Sequence, residues 1–137
     1  MRVGVIGSRR WKDRRSVEEL VKHFPQGTIV ISGGCRGVDS WATETATHSG
    51  LEVVEHLPEM PAAGSPRWKF TKAYHNRNRK IAEDVDVLFA FVAPDRRGGT
   101  EYTIKHAMKI GVRVEVICEN DPNPESFPFE FVDDEED

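Results

Sequence analysis

Three times along this chain an apolar, β-branched run stops at a loop of glycine, hydroxyl and basic residues that opens a helix. Residues 2–7 run into Gly7-Ser8-Arg9-Arg10-Trp11, and residues 28–32 into Ser32-Gly33-Gly34-Cys35-Arg36-Gly37-Val38-Asp39. Residues 85–92, the most apolar run, lead into Pro94-Asp95-Arg96-Arg97-Gly98-Gly99-Thr100-Glu101. Helical periodicity fills the intervals. Val17, Leu20, Val21 and Phe24 recur at i, i+3, i+4 and i+7, residues 38–49 and 70–83 read as helices, and a further helix runs from Gly98-Gly99 to Ile110. Residues 51–56 and 112–118 supply two more strands. Strands separated by helices of this length predict parallel β-α-β units with right-handed crossovers. The expected class is α/β, a Rossmann-like three-layer α/β/α domain on a mostly parallel sheet of about five strands.

The length of 137 residues suits one such domain. Its charge is divided unevenly. Residues 119–137 hold nine acids and no Lys or Arg, whereas residues 1–118 hold 19 bases against 14 acids. The expected organisation is a basic ligand-binding body over 1–118 and an acidic, partly disordered tail over 119–137. Within that tail Phe127, Phe129 and Phe131 alternate in a pattern suited to docking on the body. A basic body suits an anionic partner, either a nucleotide or a nucleic acid. No apolar run approaches the ~18 residues a membrane-spanning helix requires. The opening MRVGVIG reads as a strand rather than a secretory leader. Cys35 and Cys118 have no redox or metal-ligand spacing, so a cytoplasmic protein is expected. The five histidines show no ligand spacing either, and neither a metal nor a cofactor is expected.

The glycine loops carry the chemistry. In an open parallel sheet, ligands bind beyond the carboxyl ends of the strands where strand order reverses. Helix N-termini there present free N–H groups and a positive dipole end to an anion. Gly7, Ser8 and Arg9 are candidate phosphate contacts, with Trp11 as a cover for a base or sugar. Gly33, Gly34 and Gly37 allow close approach of a ligand, although the G-x-G-x-x-G spacing of dinucleotide sites is absent. Asp39 either caps its helix or accepts from a ribose hydroxyl. Gly98, Gly99 and Thr100 suit an anion nest, and Glu101 is a ligand contact or a dipole stabiliser. Arg77 and Asn78 are a fourth candidate wall. Trp68, Phe70 and Tyr74, interleaved with Arg67, Lys69 and Lys72, fit either packing or stacking on single-stranded nucleic acid.

In order and spacing these pieces resemble the SLOG superfamily, which groups the DprA/Smf DNA-processing proteins with the LOG-type phosphoribohydrolases. The likeness is greatest to its small YspA-like branch. It rests on Gly7-Ser8-Arg9 with Trp11 and Asp13, Ser32-Gly33-Gly34 with Gly37, Asp39 and Ala42, Arg77-Asn78, and Gly98-Gly99-Thr100. The resemblance implies a nucleotide-binding sheet and a homo-oligomer, a dimer or tetramer. The LOG hydrolases use P-G-G-x-G-T-x-x-E, whose glutamate assists cleavage of an N-glycosidic bond. Aligning Gly99-Thr100 with its G-T puts Thr103 at the glutamate position, and Glu101 falls about 200° around the helix. The leading expectation is therefore a binder or sensor of a nucleotide-derived small molecule. The alternatives are a nucleotide hydrolase, with Glu101, Asp39 and Glu44 as acid/base candidates, and a single-stranded DNA binder.

Overall fold

A computed structural model describes residues 1–119. Strands and helices alternate without exception: β1 (Arg2–Gly7), α1 (Arg14–Lys22), β2 (Ile29–Ser32), α2 (Val38–His48), β3 (Glu52–Glu55), α3 (Arg67–Glu83), β4 (Val87–Phe91), α4 (Gly99–Lys109) and β5 (Arg113–Ile117). The main departure from the sequence pattern is α3, which starts at Arg67 rather than residue 70. Pro66 stands at its N-cap with φ −59°, and Lys69 N–H bonds back to the Pro66 carbonyl. A proline there needs no N–H partner and has its φ already set, so the helix extends back to it. The acidic tail beyond residue 119 and its three phenylalanines, expected to be partly disordered and partly docked, lie outside the described residues.

All strand pairs are parallel, in the order β3-β2-β1-β4-β5. The domain is Rossmann-like. Parallel sheets need cover on both faces, and two separate apolar layers provide it. On one face Val17, Leu20 and Val21 of α1 and Val38, Ala42 and Ala46 of α2 pack on Val3, Val5, Phe89 and Phe91. On the other, Ile81 and Ala82 of α3 and Ile104 and Ala107 of α4 cover Ile6, Ile31, Leu88 and Ala90. Every residue of β4 is buried, as its continuous apolar run requires, whereas the edge strand β3 exposes Glu52 and Glu55.

This order makes the chain reverse direction across the sheet between β1 and β4. Gly7 sits beside Phe91 there, so the loops after β1 and β4 leave the same edge side by side and diverge. That is the crevice in which α/β sheets hold ligands. Gly7 also has a packing duty. A Cβ on it would lie 2.4 Å from Val38 Cγ2, so its absence lets the first turn of α2 seat against the end of β1.

Gly7→Ala is expected to destabilise the chain by about 1–3 kcal/mol through overpacking. Combining it with Val38→Ala should recover part of that loss. Urea unfolding of the two singles and the double measures the coupling; strictly additive losses would mean that Gly7 and Val38 do not constrain each other.

Candidate functional site

A cleft of about 730 Å³ opens at the reversal point. Ile6, Gly7 and Ser8–Arg10 line it from β1, and Arg97, Gly98, Gly99, Thr100 and Thr103 from the β4 loop and α4. Its third wall is a face of α3. Arg67, Thr71, Tyr74, Asn78 and Ile81 recur there at spacings of four, three, four and three, with His75 and Arg77 alongside. Cys35 and Asp39 close the side toward β2.

The electrostatics are one-sided. Five arginines line the cleft (Arg9, Arg10, Arg67, Arg77 and Arg97) against a single carboxylate, Asp39. Arg10 pairs with Asp95, but Arg9, Arg67 and Arg97 form no salt bridge among the described residues. The N-cap of α4 is Gly98, at φ 106°, and no side chain makes a capping hydrogen bond to the first-turn N–H groups at this end of the cleft. Thr100 is the second residue of the helix. Ser8 Oγ accepts from Arg10 N–H at 3.1 Å, and a hydroxyl that accepts keeps its proton to donate to a ligand.

Asp39 and Arg77 form the buried base of the site, each 6% exposed. Arg77 donates through Nη1 to the Gly33 carbonyl at 2.6 Å, through Nε to Asn78 Oδ1 at 2.8 Å and through Nη2 to Cys35 Sγ at 3.4 Å. Its guanidinium carbon stands 5.7 Å from the Tyr74 ring centroid. Asp39 Oδ2 accepts from Gly33 and Cys35 N–H, each at 3.2 Å, and so ties the β2 loop together instead of capping α2. Asn78 Nδ2 donates to the Gly99 carbonyl at 3.4 Å, joining α3 to the start of α4. Burial pushes the Asp39 carboxyl up to about 6, against the Cys35 N–H bond, the Arg77 charge and the Gly33 N–H bond, all of which hold it down.

Gly7, Ser8, Arg9, Asp39, Arg77, Asn78, Gly98, Gly99 and Thr100 all line the cleft. Other candidates do not. Trp11 is 4% exposed, its ring edge-on to Phe91 at 5.1 Å, and its Nε1–H donates to the Asp13 carbonyl. It is a core residue, because the turn from Ser8 O to Trp11 N–H folds the indole onto the apolar face. Gly33, Gly34 and Gly37 are outside the lining. A Cβ on Gly33 would come within 2.7 Å of Arg77 Nη1, one on Gly34 within 2.7 Å of Leu57, and Gly37 is the N-cap of α2. The small size of Gly33 and Gly34 serves loop packing, whereas Gly37 has open space around it and is set apart by its φ of 89°. Glu101 is engaged by Arg96 Nε at 2.8 Å, and Glu44 is paired with Arg14 at 2.8 Å; neither lines the cleft. Arg67 and Tyr74, read from the sequence as packing or stacking residues, also belong to the α3 wall, whereas Thr71, His75 and Ile81 were missed although the four-three spacing was a readable signal.

Burial of the Asp39 carboxyl makes stability depend on its titration. A carboxyl that titrates near 3.8 when unfolded and about 6 when folded binds its proton more tightly in the folded state. Its contribution therefore falls as pH rises from about 4 through 6 and is level above that. The span is on the order of 3 kcal/mol. Denaturant midpoints of the native chain and Asp39→Asn, measured between pH 4 and 7, should show this slope in the native chain only; parallel profiles would contradict the assignment.

Residues 1–69 match the family described as DNA recombination-mediator protein A. The Gene 61 protein of Mycobacterium phage D29 is 35% identical over 118 residues, covering 82% of this chain and 93% of that protein. Among solved structures, DNA processing protein A (DprA) from Streptococcus pneumoniae superposes with a TM-score of 0.71 at 19% identity, over 84% of this chain. This chain spans about half of that one, 49%. The molybdenum cofactor carrier protein MCP from Chlamydomonas reinhardtii superposes with a TM-score of 0.58 at 21% identity, over 84% of this chain and 74% of its own. At these identities the two structures share the fold. From the profile match and the phage relative, the chain belongs to the DNA recombination-mediator protein A family, within the SLOG superfamily.

Proposed function

We propose that the cleft binds a phosphate-bearing, nucleotide-type small molecule and that the protein acts as its binder or sensor. The observation that carries this is the meeting of Arg9, Arg67 and Arg97, without salt-bridge partners among the described residues, with the uncapped start of α4. A volume of about 730 Å³ lies within the ~300–1,000 Å³ typical of small-molecule sites. Charge-assisted forks from arginine, hydroxyls of Ser8 and Thr100 and helix N–H groups are the donor set a phosphate takes. Binding is favoured over hydrolysis because Glu101 and Glu44 are tied up elsewhere. Thr103, at the position of the LOG glutamate, lines the cleft and donates its hydroxyl to the Gly99 carbonyl. Asp39 remains the one carboxylate in reach for an acid/base role.

Single-stranded DNA is the second reading. The family's description supports it, as does Trp68, 61% exposed between Arg67 and Lys69 at the mouth of α3. A homo-oligomer belongs to the same proposal, and the exposed Met108 and Ile110 at the end of α4 supply apolar surface for it. Among the described residues no helix is long and apolar enough to cross a membrane; a cytoplasmic location is part of the proposal.

Isothermal titration at low salt with ADP as probe should show saturable binding, and adenosine far weaker binding. Arg9→Gln and Arg97→Gln should each weaken ADP by roughly tenfold or more, the scale of one charge-assisted hydrogen bond. Chromatography of the mixture should show no free base. Equal affinity for adenosine and ADP, or unchanged affinity in both variants, would contradict a phosphate site. Base release abolished by Asp39→Asn would move the reading to the hydrolase.

A further inference from the structure

Behind the arginine cleft, the opposite side of α3 borders a second depression of about 400 Å³. One wall is cationic, with Lys69, Lys72, Arg79 and Lys80, all solvent-exposed. The other is apolar, formed by Leu57, 63% exposed, and Pro58, with the exposed Met60 next in sequence to the lining residues Glu59 and Pro61. The three lysines form no salt bridge among the described residues, and of the two carboxylates in the lining Glu83 is already engaged by His106. An exposed leucine facing lysines that have no salt-bridge partner among the described residues fits a partner that is both acidic and apolar.

The chain carries such a segment. Residues 127–137 read Phe-Pro-Phe-Glu-Phe-Val-Asp-Asp-Glu-Glu-Asp, three aromatics followed by a run of acids. The last described strand, β5, ends at the same sheet edge from which α3 and α4 start, with Val92 N–H bonded to the Ile117 carbonyl. To reach the groove the chain must pass α4 and α3, packed side by side, roughly 20 Å at ordinary helix spacing. The eight residues from 119 to 127 extend to about 28 Å, which is sufficient. Tethering makes the contact intramolecular, so weak individual pairs act at high effective concentration.

We propose that the groove on the outer face of α3, between Leu57-Pro58 and Lys69, Lys72 and Lys80, is the docking surface for this chain's own C-terminal segment 127–137. The phenylalanines cover the apolar wall and the terminal acids meet the lysines. The proposal does not rest on the ligand reading of the arginine cleft.

Zero-length carbodiimide coupling of the full chain tests it, because it joins carboxylates to amines already in contact. Of the seven lysines in the sequence three line the groove, and Lys12, Lys22, Lys105 and Lys109 are internal controls. Peptide mapping of a mixture of ¹⁴N and ¹⁵N chains should find residues 130–137 joined to Lys69, Lys72 or Lys80 of the same isotope. Lys69→Glu with Lys72→Glu should lower the yield at Lys80 by roughly fivefold or more, the scale of two exposed pairs lost. Coupling spread evenly over all seven lysines, or no coupling of the tail, would overturn the proposal. Cross-links found only between isotopes would assign the groove to a second copy's tail. An oligothymidine that binds the native chain and the chain with residues 133–137 neutralised (Asp133→Asn, Asp134→Asn, Glu135→Gln, Glu136→Gln, Asp137→Asn) with equal affinity, and removes no cross-link, would place nucleic acid elsewhere. One that binds both equally while abolishing every groove cross-link would show the tail to be a bystander and overturn the proposal.

Discussion

The Arg77 guanidinium, buried against the β2 loop, is the interaction on which the site depends. Its bonds to the Gly33 carbonyl and Cys35 Sγ hold α3 to the loop, and the Asp39 carboxylate gathers the N–H groups of the same two residues. Gly33 has to lack a side chain, since a Cβ would come within 2.7 Å of Arg77 Nη1 and 3.0 Å of Asp39 Oδ2. A buried cation of this kind costs several kcal/mol of desolvation, which is offset here by an amide oxygen, a carbonyl and a sulfur that accept three of its five N–H groups and by the Tyr74 ring 5.7 Å away. The arrangement fixes the α3 wall against the β2 loop, and the Asn78 bond to the Gly99 carbonyl fixes it to the start of α4.

Topology and charge then converge on one place. Reversal of strand order between β1 and β4 opens the sheet edge, and the loops leaving it bring Arg9 and Arg97 to one cleft, which Arg67 of α3 also lines. Because the internal cation is already committed to the protein, these outer arginines are the ones left for an anion. Asp39 sits low in the same cleft with its pKa raised by burial. The Cys35 N–H, the Arg77 charge and the Gly33 N–H all stabilise its charged form from within the protein.

Much of this was legible in the sequence. Glycine-terminated apolar runs and 3.6-residue periodicity gave the alternating order, because each element has its own face to bury. Most of the loop candidates reached the cleft for the same reason: parallel strands bring all their C-terminal loops to one edge. What pattern could not tell was the duty of each small or aromatic residue. Gly7 and Gly33 read as ligand approaches, yet each makes room for a protein side chain, Val38 and Arg77, from an element far away in sequence. Trp11 read as a cover but turns inward onto Phe91, since a loop residue's direction is set by the turn rather than by periodicity. Arg77 read as a wall of the site and does line it, but its three bonds to the protein, invisible in the sequence, also make it a strut.

The most direct test of this account is an amide NMR titration of the ¹⁵N-labelled full chain with ADP at low salt. The account predicts saturable shifts concentrated at Ser8, Arg9 and Arg10 and at Arg97 through Thr100, with the Arg77 side-chain resonance little changed because its partners stay in place. Shifts confined to the outer face of α3, or none at ADP concentrations that saturate other nucleotide sites, would contradict it.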